Sequence, residues 1–274
     1  MVINLNGYDI FYEIKGNKDG TESVIMLNGL MMSTMSWYPL LGGLDNYKIY
    51  LLDFIDQGKS SKFDGKEYSQ DLQKKILESF IHELDIKKPH IIGTSYGGEV
   101  AIRYAIGNSH KIKSLVLSNT TFCTNHLLKE IGRGWIDACE VENKRLFFKC
   151  TLPYIYSKEF YEEKKEWLNA REELFVKNIP AEWYEGVKRL IISAEDLHVS
   201  QESLKSIKVP TMIITSDKDK LISLSDSKIL NKQIHNSRCV SIIGAGHAAM
   251  YEKPNEWVSI IRGFIENIEI DIKI

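Results

Sequence analysis

His90-Ile91-Ile92-Gly93-Thr94-Ser95-Tyr96-Gly97-Gly98-Glu99 is the stretch on which the fold turns. An apolar run, His90-Ile91-Ile92, leads directly into Gly-x-Ser-x-Gly, and a helical pattern begins near Glu99. The five-residue pattern is weak alone, but between a strand and a helix it has the context that lifts a serine on a sharp turn. Small residues at Gly93 and Gly97 let strand and helix approach closely, so the Ser95 hydroxyl stands above the sheet edge. The competing reading is a helix N-cap serine after a glycine turn.

Outward from this point the same strand signal repeats. Ser23–Leu27 is almost wholly apolar, as expected of a strand covered on both faces, and similar runs lie at 47–53, 112–119 and 209–216, with a shorter one at 238–243. Residues 2–5 and 8–14 flank Asn6-Gly7, a dipeptide that tolerates the positive φ of a tight hairpin. Between the runs lie helical patterns at 69–84, 100–106, 224–234 and 257–265. In the first, Leu72, Ile76, Phe80 and Leu84 share a face and Ser69 is placed to cap the start. Alternating strands and helices predict an α/β fold, a mostly parallel sheet of about eight strands with helices on both faces. The alternation stops between Phe122 and Leu204, where charged residues mix with aromatics, Trp135, Trp167 and Trp183 among them. This predicts a helical cap, 122–204, inserted after the sixth strand of a core formed by 1–121 and 205–274; ordinary peripheral helices are the alternative.

A serine hydroxyl becomes a useful nucleophile only beside a base, which in turn needs an orienting group. Of seven histidines, His247 stands out in Gly244-Ala245-Gly246-His247, a loop after the last strand pattern. His82 falls on a helix pattern and His90 begins a strand. His110, His126, His198 and His235 have no comparable setting, and no metal-binding spacing occurs. For the acid, Thr215-Ser216-Asp217-Lys218-Asp219 closes a strand at the same sheet edge as Ser95. Asp219 is the expected partner and Asp217 the second candidate. The preceding strand ends in Leu117-Ser118-Asn119-Thr120, with no carboxylate.

The order Ser95, Asp219, His247, together with the strand–turn–helix setting of Ser95, resembles the α/β-hydrolase superfamily over nearly the whole chain. The loop Asp53-Phe54-Ile55-Asp56-Gln57-Gly58-Lys59-Ser60 is similar to the family's D-x-x-G-x-G-x-S, with Asp56 in place of the first glycine. Asn28-Gly29 stands where the family usually has His-Gly. The resemblance implies an oxyanion hole from the amides of Leu30 and Tyr96. The segment Asn28–Trp37 and the turn Ser95-Tyr96-Gly97-Gly98 are also similar to 3-hydroxyacyl carrier-protein transacylases. That similarity makes Asn28, Met31, Met32 and Trp37 candidate substrate contacts and a carrier-protein- or CoA-linked acyl group a candidate donor. Core filling is the other reading of Met31, Met32, Met35 and Trp37. The expected reaction is hydrolysis of an ester or thioester through an acyl-enzyme; transfer to an acceptor other than water is the alternative.

Of 274 residues, 35 are Lys or Arg and 37 are Asp or Glu, a net charge of −2 without a basic stripe, which argues against a nucleic-acid partner. No apolar run approaches the roughly 18 residues that cross a bilayer, and the N-terminal residues lack a signal-peptide pattern. A cytoplasmic, membrane-free protein without cofactor or metal is the expectation. Cys123, Cys139, Cys150 and Cys239 form no C-x-x-C pair and are expected as buried or free thiols.

Overall fold

The computed structural model describes residues 1–141 and 143–268. Residue 142 of the expected insert and residues 269–274 of the expected core lie outside the described residues. Eight strands, β1 (Val2–Leu5), β2 (Tyr8–Gly16), β3 (Ser23–Leu27), β4 (Lys48–Leu52), β5 (His90–Thr94), β6 (Ser114–Ser118), β7 (Thr211–Ser216) and β8 (Ser237–Ile242), form one sheet in the order β1-β2-β4-β3-β5-β6-β7-β8. The β1–β2 and β2–β4 pairs are antiparallel and all others parallel. The hairpin turn between β1 and β2 is made by Asn6 and Gly7 at φ 54° and 88°.

Helices α1 (Gln70–Glu83), α2 (Tyr96–Asn108), α9 (Leu224–Gln233) and α11 (Pro254–Glu266) join or follow the strands. Helices α3 (His126–Glu140), α4 (Lys144–Ile155), α5 (Lys158–Glu163), α6 (Lys165–Asn178), α7 (Glu182–Glu195) and α8 (Gln201–Leu204) lie between β6 and β7, and α10 (Ala249–Glu252) precedes α11.

Period-two alternation divides the core. Ile25, Ile91, Leu115 and Ile213 face α1 and α2 with Ile76, Phe80 and Val100. Their neighbours Met26, Ile92, Val116 and Ile214 face the other way, onto Trp37, Trp257 and Ile261. The helices of the insert have an apolar cluster of their own, built on Trp135, Phe147, Tyr184 and Val187. Phe122, Leu197, Val199 and Leu204, at the ends of the insert, are part of the main core instead.

Helix α1 starts where expected but for another reason. Ser69 holds the N-cap position with extended backbone, yet its side chain caps nothing. Gln70 and Gln73 are fully buried: Gln70 donates to Glu99, and Gln73 both donates to and accepts from the Ile55 backbone. These tertiary hydrogen bonds fix the helix start, and Leu72 and Leu84 are only half-buried.

Asp56, in the position of the family's glycine, adopts the left-handed φ of 70° that a glycine would supply. Its carboxylate is gripped by the Arg189 guanidinium of α7, Nε to Oδ2 at 2.9 Å and Nη2 to Oδ1 at 2.6 Å. The Asp56 side chain is 0% exposed and that of Arg189 11%, so this pair ties the insert to the loop after β4. Breaking such a buried pair costs about 3 to 5 kcal/mol. Arg189→Met is therefore expected to lose stability on that scale in urea unfolding, and Asp56→Gly added to it to recover most of the loss.

His90 is fully buried at the start of β5, with Nδ1 2.7 Å from Ser114 Oγ. Burial, helped by the Lys113 charge, pushes its pKa down from 6.5 to about 4. The folded state thus resists protonation that the unfolded chain accepts. The stabilisation is complete above pH 6.5 and is lost as pH falls toward 4, in total about 3 kcal/mol at 1.36 kcal/mol per pH unit. Urea unfolding of wild type and His90→Gln is expected to show that loss only in the wild type.

Candidate active site

The parallel strands place every candidate loop on one edge. Leu27 pairs with Gly93, Thr94 with Ser118, Ser118 with Ile214 and Ser216 with Ile242. The loops leaving β3, β5, β6, β7 and β8 therefore emerge side by side, flanking the point where the connections reverse direction and ligands bind in open α/β sheets. Ser95, on the turn from β5 to α2, has φ 48° and ψ −121°. A Cβ on Gly97 would sit 2.2 Å from the Leu27 carbonyl oxygen and one on Gly93 2.6 Å from that of Gly97. Only glycine allows this approach.

Ser95 Oγ lies 2.9 Å from His247 Nε2, and His247 Nδ1 lies 2.9 Å from Asp219 Oδ2. Asp219 Oδ1 accepts the amides of Leu221 and Ile222 at 2.9 and 3.0 Å. Burial pushes the Asp219 carboxyl up, but His247, the Ile222 amide and Asn119 outweigh it and hold the pKa below the usual range. Asp217, the second candidate, turns away: it accepts the Gly244 amide at 2.6 Å and pairs with Lys218.

Two positioning residues escaped the sequence. Asn119, where the sequence offered no carboxylate, has φ 46° and donates Nδ2 to Asp219 Oδ2 at 2.9 Å and to Ser216 Oγ at 2.9 Å. Gln57 donates Nε2 to the Gly29 carbonyl at 2.9 Å. In a trans peptide C=O and N–H point oppositely, so this bond turns the Leu30 N–H the other way. Among the described residues neither the Leu30 nor the Tyr96 amide donates to a backbone acceptor. Gln57 lies inside the family-like loop; no residue pattern singled out its bond.

Asn28 and Trp37, expected as substrate contacts, are both 0% exposed. Asn28 Oδ1 accepts Trp37 Nε1 at 2.7 Å, while Nδ2 lies within bonding reach of Leu52 O, Asp53 Oδ1 and Gln57 Oε1. The two residues brace the loop after β3 from below. Met32 Sδ accepts the Gly29 amide at 3.2 Å and Met31 packs on the insert's apolar cluster; neither lines the cavity beside Ser95. Met35 is exposed.

That cavity measures about 80 Å³. Leu30, Ser95, Tyr96, Glu99 and His247 form one wall, and Leu128, Ile131 and Trp135 of α3 with Ile191 and Ala194 of α7 form the other. Glu252 joins the His247 loop to the insert: its carboxylate accepts the Gly246 amide at 3.1 Å, the Ser157 amide at 3.0 Å and the Ser157 hydroxyl at 2.5 Å.

The sequence family described as alpha/beta hydrolase fold matches residues 22–254. The chain belongs to this family. Among solved structures, an alpha/beta hydrolase enzyme from a Medee basin deep-sea metagenome library is 34% identical over 100% of both chains, with a TM-score of 0.95. The proline iminopeptidase of Lactobacillus helveticus is 26% identical over 95% of each chain. The 3-oxoadipate enol-lactonase 1 of Acinetobacter baylyi is 23% identical over 98% of this chain and 97% of its own. Such relatives support a hydrolase acting on a small molecule. Among the described residues no helix of this hydrolase is long and apolar enough to cross a membrane, and no group of three or more His, Cys, Asp or Glu is placed to hold a metal ion.

Asn119→Gly keeps the positive φ and removes one donor from Asp219. A hydrogen bond to a charged group is worth about 1.5 to 3 kcal/mol, roughly tenfold or more in rate. The variant is expected to slow fluorophosphonate labelling of Ser95 by about that factor while its melting temperature stays within a few degrees of wild type.

Proposed function

We propose that this hydrolase cleaves a carboxylic ester or thioester through an acyl-enzyme on Ser95. The observation that carries the reading is the unbroken hydrogen-bond chain from Ser95 through His247 to Asp219 at the wall of an apolar cavity. His247 Nε2 takes the Ser95 proton as Oγ adds to the carbonyl carbon, and returns it to the departing oxygen or sulfur. Water then adds to the acyl carbon with His247 again as base, and the bond to Ser95 Oγ breaks. Asp219 keeps the Nδ1 proton in place and stabilises the imidazolium. The Leu30 and Tyr96 amides receive the developing oxyanion, a role worth roughly 3 to 4 kcal/mol per donor in other enzymes.

In the same reading residues 122–204 act as a cap, because α3 and α7 supply the wall of the cavity opposite Ser95. A cavity of about 80 Å³ favours a short acyl group. A proline iminopeptidase among the relatives makes amide substrates part of the test.

The experiment is turnover of p-nitrophenyl esters and acyl-CoA thioesters from two to twelve carbons, with a proline arylamide alongside, in wild type and Ser95→Ala. Acyl-CoA stands for the CoA- or carrier-linked donors expected from the sequence. Turnover is expected to peak at short chains and to fall at least about a thousandfold in Ser95→Ala. Equal turnover in the variant would remove Ser95 from the chemistry, and a preference for the arylamide would make the enzyme a peptidase. Acyl groups recovered on an added alcohol or amine would make it an acyltransferase.

A further inference from the structure

Glu99 has no part in that reaction, yet it lies on α2 one helical turn beyond Ser95 and shares the cavity wall with Ser95 and His247. We propose that Glu99 selects acyl groups by charge: the pocket admits acyl groups without negative charge and turns away those that end in a carboxylate. The inference rests on the ester or thioester reading of the same cavity.

Glu99 is 6% exposed. Its Oε2 accepts Gln70 Nε2 at 2.5 Å. Gln70 is oriented from behind, because its Oε1 accepts Arg103 Nε at 3.1 Å and its amide nitrogen must face Glu99. Among the described residues Glu99 Oε1 has no hydrogen-bond partner and is not one of the atoms sealed inside the protein. It is left as an unpaired acceptor at the cavity wall.

The groups around this oxygen are already engaged. Arg103 pairs with Asp71 of α1 at 3.2 Å, and Lys129 of α3 pairs with Asp196 at 3.4 Å. His247 is held between Asp219 and Ser95, and the Tyr96 hydroxyl lies 2.8 Å from Ser193 Oγ. Glu195 of α7, partly exposed, adds a second carboxylate and no cation. Leu128, Ile131 and Ile191 offer only hydrocarbon, which screens a charge poorly. In a cavity of about 80 Å³ a terminal carboxylate has little room to stand away from Glu99. Like charges set against each other are one way in which a site rejects a wrong partner.

Burial pushes the Glu99 carboxyl up to about 7, against the pull of Gln70, Arg103 and His247. The group is neutral below that pH and charged above it, so the rejection grows as pH rises through about 7.

The test uses two isosteric substrates, ethyl hydrogen succinate and ethyl succinamate, which differ in charge at the far end of the acyl chain. The half-ester stays ionised between about pH 6 and about pH 8.5, and the ratio of the two rates cancels the protonation of His247 that both share. Wild type is expected to favour the amide by at least about tenfold in kcat/KM near pH 8.5 and by severalfold less near pH 6. Glu99→Gln keeps an acceptor for Gln70 and removes the charge; its ratio is expected to be severalfold smaller near pH 8.5 and the same at both pH values. A wild-type ratio near one at the higher pH, or one that does not change with pH, overturns the filter. So does a preference that survives unchanged in Glu99→Gln, which would assign it to the apolar walls alone. Calorimetric binding of the same esters to Ser95→Ala separates these outcomes from failure of the proposed reaction. Tighter binding of the amide without turnover in wild type would retain the filter and sink the hydrolysis. Equal binding would sink the filter whatever the turnover, and neither binding nor turnover would sink both.

Discussion

Everything at the sheet edge depends on the approach of α2 to β3, close enough that Gly97 has no room for a side chain beside the Leu27 carbonyl. That approach forces Ser95 to φ 48°, a conformation that costs about 1 to 3 kcal/mol for a non-glycine residue. The turn is held from every side. The Ser95 amide donates to Ser118 O at 2.9 Å, and the Ser95 carbonyl accepts the Gly98 and Glu99 amides and the Thr120 hydroxyl, the last at 2.7 Å. The hydroxyl consequently has one place to stand, within reach of His247.

Around that turn several buried polar groups support the loops through hydrogen bonds to one another. Asp53 accepts the amides of Thr34 and Lys59 at 2.6 and 2.9 Å, and Asn28 links Trp37 to Gln57. Burial pushes the Asp53 carboxyl up, and these donors pull it back. The network fixes the loop after β3 from the protein side, so the Leu30 amide is oriented before any substrate arrives. In the proposed reaction, donors preorganised in this way would need no rearrangement as charge develops.

Two carboxylates, buried Asp56 and half-buried Glu252, help join the helices between β6 and β7 to the rest of the sheet. Asp56 holds Arg189 of α7, and Glu252 holds the Ser157 amide and hydroxyl at the start of α5. Between these anchors α3 and α7 close over Ser95 with apolar side chains. The position of Asp56 matters twice, since it keeps the left-handed turn of the family loop and supplies the charge that Arg189 needs.

The sequence by itself determined the strand pattern, because two-sided burial demands continuous apolar runs, and it determined the elbow, because only glycine fits at Gly93 and Gly97. It also narrowed the loop candidates to Ser95, His247 and the pair Asp219 and Asp217, since parallel strands send their carboxyl ends to one edge. Tertiary structure alone separated Asp219 from Asp217, where a difference of two residues decides whether a carboxylate meets an imidazole or the Gly244 amide. It alone buried Asn28 and Trp37 under the loop, and it gave Asn119 and Gln57 their positioning bonds across 100 and 28 residues of chain. Side-chain hydrogen bonds between distant segments leave no periodicity in a sequence. They exist only once the sheet has brought the segments together.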